Sequence, residues 1–391
     1  MLFKSASSAL LGIDAYVVEV EVDIGAGLPD FTIVGLPDAS VRESKERVRA
    51  AVKNCGYDFP SRKVTINLAP ADRRKEGPAF DLSIALGHLA YMDIIPAAAG
   101  ADFMFMGELA LDGRLKPVKG TLSAALCAKD RGFLGIVVPE GNAREASLVG
   151  GLEVYALANL VQAVELLTVP GKIAPCDFRQ EDLFVRAESE LDFKDVKGQH
   201  HVKRALEVAS AGGHNVLLVG PPGSGKTMLA MRIPSILPDM TFDEVIETMQ
   251  VYSAAGLLGG RGAVIERPFR APHHSVSVPG LIGGGSIPRP GEVSLAHRGV
   301  LFLDELPEFP RSALDGLRQP MEDGRAVIAR VAMHVAYPAS FMLVAAMNPC
   351  ADVLRGGAGR DAECTEAERS KYYGRISGPL LDRIDIQIEV P

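Results

Sequence analysis

At 391 residues the chain has room for two or three domains, each large enough to bury its own core. Its 47% hydrophobic and 23% charged residues lie near the averages for soluble globular proteins and, with no low-complexity tract, argue against a disordered chain. A formal net charge of -8 excludes nucleic-acid attraction by the field of the whole molecule, leaving only local basic loops for such contacts.

No apolar run reaches the ~18 to 20 residues of a membrane span, so no membrane partner is expected. The start, MLFKSASSALLGID, faintly resembles a signal peptide but runs directly into the alternation Tyr16, Val18, Val20, Val22, which reads as a strand. The cytoplasm is the expected compartment. Cys55, Cys127, Cys176, Cys350 and Cys364 are odd in number and lack a CxxC pair, a pattern that suits reduced thiols.

Residues 1–168 alternate strand-like and helix-like segments. AYVVEVEVDI and FTIVGLPD read as strands, and Asp38 is placed to cap a helix running to about Asn54. Val41, Val48 and Val52 share one face of that helix. Arg42/Glu46 and Glu43/Arg47 stand at i,i+4, so its basic residues read as a salt-bridged solvent face. KVTINLAP is a strand, FDLSIALGHLAYM a helix, GELALDGRLKPV a hairpin, TLSAALCAKDRGF a helix and LGIVVPE a buried strand. Residues 169–191 are rich in charge and proline and poor in periodicity, as a linker is. The fold class expected is α/β: an α+β first domain, then a second α/β domain over 192–391 with a parallel sheet.

In the second domain HVKRALEVASAGG reads as a helix, NVLLVG as a buried strand and KTMLAMRIPSIL as the helix after GPPGSGKT. The last motif fits G-x-x-x-x-G-K-[ST] through Gly220, Pro221, Pro222, Gly223, Ser224, Gly225, Lys226 and Thr227. Gly223 and Gly225 allow successive N–H groups to face phosphates, Lys226 adds charge near the β and γ groups, and the Thr227 hydroxyl can ligate Mg2+. These features point to ATP and Mg2+ as cofactors. In GVLFLDELPEF a buried strand ends at Asp304, placed to hold the metal, and Glu305, placed to polarise water. Asp304 lies 78 residues after Lys226 (304 minus 226). SFMLVAAMNP ends a further apolar strand at Asn348, and SGPLLDRIDIQIEV sets Arg383 before another strand.

This order of motifs resembles that of AAA+ ATPases. The resemblance makes Asn348 a sensor for the attacking water and Arg383 a finger given to a neighbouring subunit; read alone, they could be a capping Asn and a surface ion-pair Arg. DFKDVKGQHHVKRAL resembles the leading segment of such modules, with Val196 to Gln199, including Gly198 and Gln199, beside the adenine. Two inserts resemble those of the magnesium-chelatase and MCM-helicase branch, whose loops line the pore of a ring. The first carries His273, His274 and Arg289; its histidines have no Cys/His partner at ligand spacing, so no zinc is expected there. The second has hairpin alternation around Val327 to Ala336. Arg330 near its tip either contacts a phosphate backbone or solubilises the tip.

Through VGLPDASVRESKERVRAA, NLAPAD, RAPHHS, EVSLAHRGVLFLDELPEF, LRQPMED and RISGPLLDRID, the chain resembles the ComM/YifB family of magnesium-chelatase-like AAA+ proteins along essentially its whole length. The resemblance implies a homo-hexameric, ATP-driven helicase acting on single-stranded or branched DNA, promoting branch migration in transformation or recombination. It also implies a Lon-protease-like first domain over 1–168. There Ala79, in Lys75-Glu76-Gly77-Pro78-Ala79, occupies the nucleophile position and Leu122 approximates the lysine position, which leaves no proteolytic dyad.

The family's further cysteines after MNPC are missing, so Cys350 and Cys364 are too few to hold zinc alone. The chain stops at Pro391, before the helical lid of AAA+ modules, as a fragment would. The competing expectations are a magnesium-chelatase motor subunit, against which the first domain is taken to argue, and a protein-remodelling ATPase.

Overall fold

The computed structural model describes residues 2–178, 184–185, 191–258, 263–264, 266–285, 288–330, 333–350 and 364–391. The chain divides into two compact units, Met1–Val185 with Tyr252–Ala263, and Arg186–Val251 with Val264–Pro391. The sequence reading gave 252–263 to the P-loop module; this segment groups with the first unit. Local polar contacts tie it there: Gly120 N donates to the Ser253 carbonyl, and the Ser253 hydroxyl donates to the buried Glu145 carboxylate.

The first unit is built on a seven-stranded mixed sheet. Its strands run in the order Asp30–Val34, Lys63–Ala69, Asp14–Gly25, Leu2–Leu11, Phe103–Phe105, Gly135–Pro139 and Glu153–Leu157. The opening segment is thus a full strand, antiparallel to Asp14–Gly25 from Leu2↔Asp23 to Leu11↔Asp14. Its serines and alanines are weak strand formers, and the ladder supplies what propensity does not. The helix Ala39–Asn54 begins where Asp38 Oδ1 accepts from Val41 N at 2.8 Å, and Val41, Val48 and Val52 are fully buried. Arg47 keeps its i,i+4 ion pair with Glu43 at 3.7 Å but is not only a solvent-face residue: it also donates to Asp81 from Nε at 2.6 Å and Nη2 at 3.1 Å. Leu122 is fully buried, so the position matched to a catalytic lysine is a core position. Lys75 is also buried, donating to the Pro70 and Arg73 carbonyls.

The second unit carries a five-stranded, wholly parallel sheet in the order Phe269–Arg270, Val300–Leu303, Met342–Met347, Val216–Val219 and Ile386–Glu389. Numbered along the chain from the P-loop strand, this is 2-3-4-1-5. Alternate residues feed two separate cores. Leu217, Leu301, Leu303, Leu343 and Ala345 enter one, while Val216, Leu218, Val300, Phe302 and Val344 enter the other. A parallel sheet buried on both faces explains why these strands read as continuous apolar runs. The helix after the loop is shorter than its sequence suggests, Lys226–Ala230, and Pro234 falls in the 3-10 turn Ile233–Ile236 that follows.

Candidate nucleotide site

The P-loop leaves the strand Val216–Val219, which lies between the strand leading to Asn348 and the last strand. Gly220 N donates to the Met347 carbonyl, and a Cβ at Gly220 would run into the Val390 carbonyl, so only glycine fits. Gly223 and Gly225 have φ of +84° and +92°, the left-handed region that turns the loop into the helix at Lys226. Parallel pairing sends all strand C-termini to one end of the sheet, which collects Gly220, Asp304 and Asn348 there although they are far apart in the chain.

Side-chain bonds complete the cluster. Lys226 Nζ donates to Gly220 O at 2.7 Å, Pro221 O at 2.9 Å and Asn348 Oδ1 at 3.0 Å. Thr227 Oγ1 donates to Asp304 Oδ2 at 2.8 Å, and Glu305 N donates to Asp304 Oδ1 at 2.9 Å. The structure therefore links Lys226 with Asn348 and Thr227 with Asp304 and Glu305. The Ser224 hydroxyl and Gln199 Oε1 are buried without a hydrogen-bond partner among the described residues. Such orphan groups, with a glycine cradle and a buried ammonium, suit a polyphosphate ligand bearing a polar base. Thr227 and Asp304 offer the hard oxygen donors that Mg2+ takes.

Gly198 and Gln199 adopt left-handed φ of +69° and +51° where the chain turns into the helix His200–Gly212. Just ahead of them, Val196 packs in the same core as Leu218 of the P-loop strand. Among the described residues Arg383 is not joined to the loop. Its guanidinium forms an ion pair with Glu322 and donates from Nη1 to Pro379 O at 2.6 Å. Arg330 ends the strand Arg325–Arg330, pairing with Met333 at the turn end of an antiparallel hairpin in which Val327 faces Ala336.

Two of the five thiols expected to be reduced are joined: Cys350 and Cys364 form a disulfide, with Cα atoms 6.4 Å apart, while Cys55, Cys127 and Cys176 are free. The Tyr372 hydroxyl donates to Asn348 O at 3.0 Å, which brings the segment after Cys364 back beside the end of the Asn348 strand. Burial, followed by nearby negative charge at Glu308, pushes the Tyr372 phenol up to about 12. Sequence reasoning also missed two partners: His274, 3.3 Å from Glu305, and Glu322 on Arg383. Nothing in local pattern marks either, because each pair joins distant segments.

Residues 192–391 match the family model described as magnesium chelatase, subunit ChlI, and residues 20–142 match one described as subunit ChlI of Mg-chelatase. Competence protein ComM of Haemophilus influenzae is 45% identical over 387 residues, 98% of this chain and 75% of the relative. YifB of Escherichia coli is 46% identical over 383 residues, 98% of this chain and 74% of the relative. The chain belongs to the ComM/YifB family of magnesium-chelatase-like AAA+ ATPases. A more distant relative, the magnesium-chelatase 67 kDa subunit of Chlorobaculum tepidum, is 29% identical over 171 residues, 43% of this chain and 25% of the relative. The first domain therefore does not speak against a chelatase-type motor, since residues 20–142 themselves match a chelatase-subunit model. Among the described residues no helix is long and apolar enough to cross a membrane.

Proposed function

We propose that this chain is the motor of an ATP-driven, ring-forming DNA translocase that moves branched DNA during transformation or recombination. The observation that carries the motor chemistry is the paired contact set of Lys226 with Asn348 and Thr227 with Asp304. Gly220 to Thr227 would hold the phosphates, with Gly198 and Gln199 at the base. Thr227 and Asp304 would hold Mg2+, which supplies charge neutralisation on the phosphates when bound. Asn348 orients water, and Glu305 accepts its proton as the oxygen attacks the γ-phosphorus and the bond to the leaving ADP oxygen breaks. Lys226 stabilises charge growing on the transferred group.

The DNA and assembly parts rest on different support. A relative named competence protein matches nearly the whole chain, and the hairpin Arg325–Pro338 places Arg330 beside its tip. Arg383, turned to Glu322 within its own chain, would serve the γ-phosphate of a neighbour in a homo-hexamer. The cytoplasm is the compartment this reading implies.

The test is ATP turnover with and without a four-way DNA junction, together with strand separation of that junction. Hydrolysis that ignores DNA, with no strand movement, would sink the translocase reading. The chelatase-model matches in both domains favour a second reading, a motor acting on a chelatase partner. Stimulation of turnover by such a partner in place of DNA would establish it.

A further inference from the structure

The P-loop strand Val216–Val219 has a second polar end. Its C-terminal end opens into Gly220, and its N-terminal end is preceded by Asn215, which follows the helix His200–Gly212 and a turn through Gly213 and His214. Gly213 closes that helix with φ of +66°, the left-handed cap that suits glycine, and His214 N donates back to the Ala209 carbonyl. The turn delivers Asn215, half-buried, to the foot of the sheet, between the strand that leads to Asn348 and the strand that follows Arg383.

Each polar atom of Asn215 has a partner. Oδ1 accepts from Leu343 N at 2.8 Å, Nδ2 donates to Arg383 O at 2.9 Å, N donates to Asp385 Oδ2 at 2.8 Å, and O accepts from Ile386 N at 3.1 Å. His214 Nδ1 stands 3.6 Å from the same Asp385 oxygen. The amide can face only one way, because Leu343 N only donates and Arg383 O only accepts. Asn215 thus grips the backbone from which the Arg383 side chain departs. The guanidinium itself rests on Glu322 and Pro379 O, with Nε buried and without a partner among the described residues.

Register also decides whose nucleotide Arg383 can meet. Val216 pairs with Ile386, which sets Arg383 before the start of the P-loop strand. The four residues of that strand, at ~3.3 Å each, put roughly 13 Å between this end of the sheet and Gly220. Arg383 therefore leaves the end of the sheet opposite its own loop, as a group given to a neighbour requires.

We infer that Asn215 is the positioning residue for Arg383: its amide fixes the turn from which the guanidinium is presented to the γ-phosphate of a neighbouring subunit. This rests on the reading of Arg383 as a group that serves a neighbour. Asn215 acts through Arg383 alone.

The test uses Asn215→Asp and Asn215→Ala in the full chain, with ATP turnover, binding of a fluorescent ATP analogue and thermal melting. Asp keeps an acceptor for Leu343 N but sets a carboxylate oxygen against the Arg383 carbonyl; Ala removes both bonds without adding charge. Misplacing a reacting group by about 1 Å costs on the order of 10²-fold, so kcat should fall roughly 10- to 100-fold in both variants. Analogue binding should stay within about twofold, because the chain's own loop is intact. The defect should also be cured from outside, by Glu305→Gln chains that lack the hydrolytic base but still carry Arg383. In an equal mixture, half the sites keep Glu305 and half of those meet an intact Arg383, so turnover should climb to about a quarter of wild type. A purely structural defect stays with its own chain and is not cured this way. Wild-type kcat in both variants, lost analogue binding in both, or lost turnover that Glu305→Gln chains leave unrestored overturns the proposal. Arg383→Ala in the same mixture tests the underlying reading: if it keeps wild-type turnover, or if its loss is not restored either, Arg383 serves no neighbour.

Discussion

His88 supplies a prediction with a worked magnitude. It is fully buried in the helix Asp81–Tyr91, its ring stacked 4.5 Å from Phe59 and 5.7 Å from Phe31. Nδ1 bonds the Ile84 carbonyl at 3.0 Å, and Nε2 is buried without a partner among the described residues. Burial pulls its pKa down from the ordinary 6.5 to about 4, with the Ile84 bond opposing weakly. Above pH 6.5 the imidazole is neutral in both states, and the first unit has its full stability from this group. Between 6.5 and about 4 the unfolded chain takes up a proton that the folded chain refuses. Stability is therefore lost as pH falls through this window and levels off below it. At 1.36 kcal/mol per pKa unit, the full window costs about 3 kcal/mol. His88→Phe keeps a flat ring in the stack and cannot titrate. Urea unfolding of both proteins at a series of pH values measures the difference. The wild-type curve should fall about 3 kcal/mol further than the variant's between pH 7 and 4. Parallel curves would refute the assignment of a neutral, desolvated imidazole.

Four further outcomes follow from named contacts. Arg47→Leu strands the Asp81 carboxylate, which is 0% exposed, and should cost about 3–5 kcal/mol in chemical denaturation. Gly220→Ala sets a Cβ against the Val390 carbonyl and should abolish analogue binding while far-UV circular dichroism is retained. Lys226→Ala removes the ammonium from the loop and should likewise eliminate analogue binding, measured by fluorescence anisotropy. Glu322→Ala releases Arg383 from its ion pair; if that carboxylate presents the arginine to a neighbour, turnover should fall as in Arg383→Ala while analogue binding persists.

Much of the nucleotide site was legible because its parts are short and local. A loop that must hug phosphates needs glycine at fixed spacing and a lysine at the helix start, and GPPGSGKT states this without reference to the rest of the chain. Asp304 and Asn348 stood out as candidates because strands buried on both faces are apolar runs that end abruptly in a polar residue. The hairpin around Val327 and Ala336 was visible by alternation, and the structure pairs those two residues directly. The first strand was less visible, since serine and alanine in Leu2–Leu11 carry little strand preference and the ladder to Asp14–Gly25 supplies the order.

By itself the sequence marked the candidates for meeting phosphate, metal and water, since side-chain chemistry and backbone freedom are local properties. Tertiary structure decided which of them meet one another. Parallel register carried His274 to Glu305; the helix bearing Tyr372 returned to the Asn348 strand as Cys350 joined Cys364; and Arg47 was drawn to a buried Asp81 as well as to its helical neighbour Glu43. Apart from the Glu43 pair, each of these contacts joins segments that no window of local periodicity spans.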